Sequence, residues 1–413
     1  MGGYLRIEQV DDGAEIVLRV DGPLVASWPT RDREIWRATE STVLRINEEM
    51  TVALNDLRLQ LRNADSCKVE RSQPALGELV RSFHGYWSDS DRDRTAHQLN
   101  RAKLGEILRQ LSGPVRTLAT SNPQKAAEFA PTIEFIGSRR APVAIELLPL
   151  GERPKVGEDL LDSCLRLPAF AAVFRHLLFR SEIEDQTVGG RSLLPRPYPY
   201  VQGARAFLRS EETAMWESME KFFASETPRL TFDPAPTGGT LDKPEKLAKY
   251  LLNPDALGSS RGVRGNVSDI HVYAHGQTGS SRPNRFKIKF TYGGRLNERE
   301  VVVRSIHFED AIAEVVGAKQ SRPLIWFNSC KAGGAVGSEL FSLSVDLANA
   351  GCTVIAPRTE TPEGFSTSFA QDFYRYLSGD SNPGTAFLAA RLQAVKGRNN
   401  PLGLLYMALG DVT

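Results

Sequence analysis

Hydrophobic and polar residues alternate along the first twenty residues of the chain. Two alternating runs, residues 4–10 and 15–20, are separated by Asp11-Asp12-Gly13, and Asp21-Gly22-Pro23 follows the second run. Aspartate-glycine turns between alternating runs are typical of a β-hairpin or meander. The pattern therefore predicts a small β-sheet at the start of the chain.

The hydrophobic period lengthens to three and four residues between residues 35 and 61. The apolar positions with this spacing are Val43, Ile46, Met50, Ala53, Leu57 and Leu61. Such spacing predicts a long helix with one apolar face. The stretch SDSDRDRTAHQ, residues 88–98, has no apolar period and predicts a surface loop before a second helix at 100–111, which Gly113-Pro114 ends.

The middle of the chain mixes short apolar runs with proline- and glycine-rich segments. Residues 132–136 and 142–148 predict strands, and residues 170–178 predict a buried helix or strand. A long irregular connection containing Gly189-Gly190 and LPRPYPY follows. Helices are predicted at 211–223 and from Lys243-Pro244 to residue 252, with a strand near residue 230 between them.

Two short hydrophobic runs each end in a residue that carries chemistry. These runs are DIHVYAHG, residues 269–276, and PLIWFNSC, residues 323–330. If both are neighbouring parallel strands, His275 and Cys330 lie side by side at the carboxyl edge of the sheet, where open α/β sheets bind ligands. After Cys330, a glycine loop, a helix at 338–349 and a β-branched run at 352–356 predict a βαβ unit. Two amphipathic helices and a last strand at 404–409 complete the predicted α/β unit.

A cysteine beside a histidine is suited to nucleophilic catalysis. The thiolate is the attacking form, and an unperturbed thiol with a pKa of about 8.5 is mostly protonated at neutral pH. A histidine within reach takes that proton and later returns one to the leaving amine. The backbone N–H groups of Gly276 and Cys330 are placed in the sequence to stabilise the oxyanion. The first hypothesis is therefore a cysteine peptidase.

Composition excludes several other classes of protein. The 51 basic and 50 acidic residues nearly balance, so no overall field indicates binding of nucleic acid or of an anionic membrane. Four cysteines and six histidines show no metal-ligand spacing, and we expect neither a disulfide framework nor a metal nor a cofactor. No apolar run spans a bilayer and no secretory signal pattern opens the chain, so we expect a cytoplasmic protein.

The sequence resembles the CHAT domain family. The resemblance lies in IHVYAHGQ, in LIWFNSCKAGG, in the segment GSELFSLSVDLANAGCTVIAPRTETP that follows it, and upstream in RRAPVAIELLPLG. CHAT domains belong to the caspase-like clan of cysteine peptidases, with caspases, metacaspases and separase. The resemblance implies a caspase-like three-layer α/β/α sandwich with a mostly parallel central sheet, preceded by the N-terminal β-hairpin and helices. It divides the chain into an N-terminal region, 1–99, packed on or continuous with a peptidase domain, 100–413.

The resemblance also implies an activity and its setting. It makes Cys330 the nucleophile and His275 the base of an endopeptidase that cleaves a protein substrate. CHAT proteins commonly act in defence, including antiviral defence, or in programmed death. A regulated bacterial enzyme with an activating protein partner or an upstream protease is therefore expected.

Three residues near the predicted dyad raise the question of specificity. Metacaspases carry an aspartate two residues before the nucleophile, where it receives a basic substrate side chain; here that residue is Asn328. A neutral amide loses the charge pairing. The segment after the next strand offers Arg358 and Glu360 as further substrate-binding candidates, and Arg358 would favour an acidic substrate residue.

Two alternatives to a peptidase remain open at this point. The first is a CHAT-like scaffold or adaptor that binds a protein partner without cutting it. The second is a thiol hydrolase or a nucleotide-binding protein, although GSSRGVRG matches neither phosphate-binding pattern. The segment 276–285, rich in glycine, serine and arginine, is predicted to be an exposed loop, as a lip of the substrate groove or a site of self-cleavage.

Overall fold

Three β-sheets with helices packed against them make up the computed structural model. The structure describes residues 3–61, 72–91, 94–138, 143–149, 158–179, 204–209, 214–226, 232–234, 243–254, 267–273, 275–279, 282–292, 299–303, 307, 311, 322–328, 342–379, 381–410 and 412. The strands are β1 Tyr4–Asp12, β2 Glu15–Asp21, β3 Glu34–Thr39, β4 Thr132–Ser138, β5 Val173–Phe179, β6 Ala204–Arg209, β7 Phe232–Pro234, β8 Val267–Tyr273, β9 His275–Gly279, β10 Arg282–Tyr292, β11 Arg299–Val303, β12 Leu324–Phe327, β13 Thr353–Pro357 and β14 Tyr406–Leu409.

The α-helices of the described residues lie mostly between these strands. They are α1 Glu40–Gln60, α2 Ser72–Asp89, α3 Arg94–Leu111, α4 Gly113–Ala119, α5 Pro123–Glu128, α6 Leu160–Leu165, α7 Pro168–Ala171, α8 Ala214–Glu226, α9 Pro244–Leu252, α10 Ser342–Asn349, α11 Glu363–Ser378 and α12 Pro383–Arg398.

The predicted N-terminal hairpin is confirmed and belongs to a five-stranded sheet of order β3-β2-β1-β4-β5. Gly13 turns the chain between β1 and β2 with a φ of 66°, a backbone conformation that favours glycine. Strand β1 pairs in parallel with β4, and β4 with β5. The sheet thus draws strands from both sides of the predicted boundary between residues 99 and 100.

The first predicted helix is correct from residue 40 onward and wrong before it. Residues Glu34–Thr39 form the edge strand β3, and Thr39 caps α1 by accepting a hydrogen bond from the N–H of Thr42. The predicted apolar face is buried at Val43, Ile46, Met50, Leu57 and Leu61, whereas Ala53 is only partly buried. Strand β3 was missed because it forms by pairing with β2, which no local period records.

The second sheet contains both hydrophobic runs that end in the predicted dyad. Its order is β14-β13-β12-β8-β6-β7, and every pair is parallel except β13 with β14. The chain starts at β6, adds β7 on one side and then returns to add β8, β12 and β13 on the other. The predicted βαβ unit is confirmed as β12, α10 and β13, with Gly351 between α10 and β13 at a φ of 95°.

Aromatic side chains join this sheet to the helices on one of its faces. Trp326 of β12 packs against Phe373 of α11 with ring centroids 4.7 Å apart, and Phe223 of α8 lies 5.0 Å from Tyr374. The right-handed crossover of parallel strands puts α10 on the opposite face. Helices therefore cover both faces, and the predicted α/β fold class, with a mostly parallel sheet preceded by a hairpin and helices, is confirmed.

Two further predictions about local structure need correction, and a third is confirmed. The run at 142–148 is a 3₁₀ turn at Ile145–Leu147 where it is described, and not a strand. The helix predicted at 100–111 ends at Leu111, as predicted, and Gly113-Pro114 then begins α4. The predicted surface loop at 88–98 instead contains buried Asp91 and His97, and α3 begins at Arg94.

Candidate active site

The carboxyl ends of β8, β12 and β13 lie at one level of the six-stranded sheet. Phe327 pairs with Val272, and the N–H of Asn328 donates to the carbonyl of Val272 at 2.7 Å. Trp326 pairs with Ile355 on the other side. The residues that follow these pairs leave the sheet at the same edge, the edge at which parallel sheets bind ligands.

His275 lies two residues beyond the end of β8. The sequence pattern predicted one continuous strand through this histidine, but β8 ends at Tyr273, and His275 is the first residue of β9 in the three-stranded antiparallel sheet β11-β10-β9. Its backbone pairs with Lys289, and that of Gly276 with Ile288. The side chain of His275 and the whole of Cys330 lie outside the described residues, so the dyad and its oxyanion hole stay predictions.

The predicted exposed loop at 276–285 is wrong for most of its length. Residues 275–279 form β9, and β10 begins at Arg282, so the two strands make a hairpin. Paired strands are poorer protease substrates than open loops because their backbone is already hydrogen-bonded. The prediction of self-cleavage loses its structural basis where β9 and β10 pair. It stays a prediction at residues 280–281, which lie outside the described ones, and at residues 283–285 of β10, which the shift in register leaves without a partner in β9.

Asn328 is the last described residue before Cys330. Its Oδ1 accepts a hydrogen bond of 2.8 Å from the hydroxyl of Tyr406, whose side chain reaches it from β14. Its Nδ2 is buried and has no hydrogen-bond partner within the described part of the chain. The residue presents no charge at this edge, and its predicted contact with substrate stays a prediction.

Arg358, the second specificity candidate, is buried rather than exposed at the site. Only 1% of this residue is accessible to solvent, and its guanidinium forms an ion pair with Glu146, which is 2% exposed. Its backbone N–H donates to the carbonyl of Leu405. A guanidinium neutralised inside the protein is not available to an acidic substrate residue, which counts against the predicted contact.

Glu360, the third candidate, is paired with the N-terminal region. Its carboxylate lies 2.6 Å from Nη1 of Arg58 on α1. Thr359 bonds to Asn55, one turn earlier on the same helix. Helix α1 therefore contacts the segment that follows β13, and Glu360 is held at the rim of the edge rather than inside it.

His271 is a core residue rather than part of the candidate dyad. It is 1% exposed, its ring is stacked at 6.5 Å from that of Trp326, and its Nδ1 lies 3.2 Å from the hydroxyl of Tyr374. Phe223 contacts it from α8. These contacts bury the His271 side chain against the helices on one face of the sheet, two residues before β8 ends.

Two of the four cysteines are described, and both are buried. Burial raises the pKa of the Cys352 thiol to about 12, and that of Cys164 well above its ordinary value. Such thiols stay protonated and react slowly.

Sequence reasoning missed a buried polar cluster in the N-terminal region. His97 Nδ1 lies 2.7 Å from Asp91, whose other oxygen is 2.6 Å from Arg101, and Arg101 also donates to the carbonyl of Ile35. These three charged or titratable residues are at most 7% exposed. Arg101 follows His97 by one turn of α3, but Asp91 lies before the helix begins, so no single local period marked the cluster.

Glu146 and Tyr406 were missed as well. Each reaches a residue more than 70 positions away in sequence, Arg358 and Asn328 respectively. Glu146 lies in a segment that the sequence predicted to be a strand, and Tyr406 in an apolar run with no polar signal. Within the described residues, no group of histidine, cysteine or acidic side chains is arranged to hold a metal, and no helix is long and apolar enough to cross a membrane.

Comparisons with known proteins identify structural neighbours without a family assignment. No family model matches the sequence, and no curated protein matches it. Two solved structures of the Saccharomyces cerevisiae separase–securin complex align over 98% and 99% of this chain, at 10% and 12% identity and TM-scores of 0.38 and 0.37. The chain spans 30% of the length of the separase chain in each. Identities and TM-scores this low define no shared activity.

Proposed function

We propose that this protein is a caspase-like cysteine endopeptidase of the CHAT type, with Cys330 as nucleophile and His275 as general base. The observation that carries the proposal is the register of β8 and β12. The N–H of Asn328 bonds to the carbonyl of Val272 beside the end of β8. Cys330 follows Asn328 by two residues, and His275 follows Tyr273, the last residue of β8, by two residues. When two neighbouring strands end at the same level of one sheet edge, the residues that follow them come within reach of each other.

The proposed reaction proceeds in two halves. His275 takes the proton of Cys330, the thiolate attacks the peptide carbonyl, and the backbone N–H groups of Gly276 and Cys330 stabilise the oxyanion. When the C–N bond breaks, the imidazolium gives its proton to the leaving amine and an acyl-enzyme remains. Water, deprotonated by His275, then hydrolyses the thioester and restores the free thiol.

The environment of the site supports a substrate residue without a strong charge requirement. Asn328 stands where an acidic residue would pair with a basic substrate side chain, and its amide is neutral. Arg358 is neutralised by Glu146. We propose a dedicated protein substrate, a regulated activity in a bacterial defence or programmed-death pathway, and an activating partner or upstream protease.

Thiol reactivity and peptide cleavage together test the proposal. The full chain is treated with iodoacetamide at pH 7, and labelling of each cysteine is followed by mass spectrometry alongside a peptide-library cleavage profile. We expect Cys330 to be labelled at least about tenfold faster than Cys352, whose thiol is buried. Cys330→Ala and His275→Ala should each lower cleavage by about 10³-fold or more.

The chain offers a matched control for the histidine. His84-Gly85 repeats the His-Gly dipeptide of the proposed site but lies within α2, so His84→Ala should leave cleavage unchanged. Equal labelling of Cys330 and Cys352, together with no effect of His275→Ala, would sink the peptidase proposal. A folded wild-type protein that cleaves no peptide but binds a partner equally well with Cys330→Ala would indicate the scaffold instead.

A further inference from the structure

Asn328 is held from two directions at the end of β12. Its backbone N–H is bound to the carbonyl of Val272 on β8 at 2.7 Å. Its side-chain Oδ1 is bound at 2.8 Å to the hydroxyl of Tyr406, which reaches past β13 from β14. These two contacts orient the last described peptide before Cys330.

Tyr406 is itself fixed by its surroundings. Its side chain is fully buried, with its ring centroid 5.4 Å from that of Trp326 and 5.1 Å from that of Phe369. Its backbone pairs with Pro357, and its carbonyl accepts a hydrogen bond of 2.7 Å from Arg391. A ring held in this way brings its hydroxyl to one point in space.

We infer that Tyr406 is a positioning residue for Cys330 that acts through Asn328; this inference rests on the proposed function. The direction in which the chain leaves β12 depends on the orientation of Asn328, and Cys330 follows two residues later. A displacement of about 1 Å in a reacting group lowers the rate by about 10²-fold. A single buried hydroxyl in a different strand therefore contributes to the placement of the nucleophile.

The test compares two isosteric variants. Tyr406→Phe removes the hydroxyl at Asn328 and keeps the ring. Tyr374→Phe is the matched control, because Tyr374 is 1% exposed, packs 6.0 Å from Trp326 and loses a hydroxyl bond to His271 rather than to Asn328. Thermal melts check that both variants are folded before kinetics are measured on a peptide that the wild type cleaves.

We expect kcat to fall about tenfold in Tyr406→Phe with KM nearly unchanged, and alkylation of Cys330 to change in the same variant, because position and not binding is altered. Tyr374→Phe should keep the wild-type kcat. Asn328→Ala should lose a similar factor, and the double variant Tyr406→Phe/Asn328→Ala should lose no more than either single variant, because both remove one interaction.

Equal kcat values in the two tyrosine variants, or losses that multiply in the double variant, overturn the inference while leaving the proposed function intact. Failure of the proposed function has a different signature. It is seen in the wild type alone, as absence of peptide cleavage with Cys330 no more reactive than Cys352, and it overturns both.

Discussion

Strands β4 and β12, each inside one of the two larger sheets, differ in where they carry polar side chains. In β4, Glu134 lies in mid-strand, 2% exposed, opposite Arg6 on β1 and Arg175 on β5. Its two oxygens accept from these arginines at 2.8 and 2.7 Å. In β12 all four residues are buried and apolar, and the first polar side chain is Asn328, after the strand has ended.

The two strands differ in how their polar side chains are used. A carboxylate in mid-strand meets partners that the register brings opposite it, so its charge is used within the sheet. Asn328, at the end of a buried apolar strand, carries no charge; its side chain is held by Tyr406 from a more distant strand, β14. The central charge of β4 is thus used inside the five-stranded sheet, whereas the candidate site lies at the carboxyl edge of the six-stranded sheet, next to the end of β12.

The largest effect is expected at the buried pair of Glu146 and Arg358, next to the six-stranded sheet. Glu146→Gln leaves the Arg358 guanidinium buried without its counter-charge, which should lower the free energy of unfolding in urea by about 3–5 kcal/mol. Replacing both residues, as Glu146→Leu/Arg358→Met, should recover most of that loss. If the folded double variant no longer cleaves peptides that the wild type cleaves, Arg358 contacts substrate after all.

Removal of the central charge of the five-stranded sheet should cost less. Glu134→Gln is expected to lower the free energy of unfolding by about 2 kcal/mol, because Arg6 and Arg175 are partly exposed and can regain water. Cleavage by the folded fraction should not change. Glu8→Gln, at a weaker pair of 3.4 Å with Arg6, is the control and should have little effect.

The pH dependence of stability should report on Cys352 at the start of β13. Its pKa is raised to about 12 in the folded protein, so between the unfolded value of about 8.5 and 12 the unfolded chain binds fewer protons and stability falls as pH rises. We expect a loss of about 1 kcal/mol between about pH 8.5 and 9.5 from this thiol. Cys352→Ala should remove that part of the slope, and an unchanged slope would contradict the raised pKa.

The smallest effect is expected at the contact between α1 and the segment after β13. Arg58 and Glu360 are both partly exposed, so Arg58→Glu should lower the free energy of unfolding by only about 0.5 kcal/mol, and adding Glu360→Arg should restore it. Arg45→Glu, which breaks the exposed pair with Glu49 on the same helix, is the control. A fall in cleavage much larger than the fall in stability, present only for Arg58→Glu, would show that α1 influences the site.

Local patterns predicted those elements whose formation depends on neighbouring residues. The apolar face of α1, the helix α9 opened by Pro244, and the β12-α10-β13 unit follow from period, capping and turn residues. Elements that depend on distant partners were misassigned. Edge strand β3 was taken as part of a helix, and Asp91 and His97 were taken as a solvated loop although Arg101 and the carbonyl of Ile35 complete a buried network around them.

The candidate site divides in the same way. The two runs, and the histidine and cysteine that follow them, are visible in the sequence. The signal is clearest for β12, which is buried on both faces and consists of four consecutive apolar residues. Tertiary structure alone decided three features of the site: β8 lies next to β12, Tyr406 binds Asn328, and Glu146 neutralises Arg358. The pairing register and the partners of buried charges depend on which distant segments meet. Those contacts form, and contribute to the free energy of folding, only when the chain has folded.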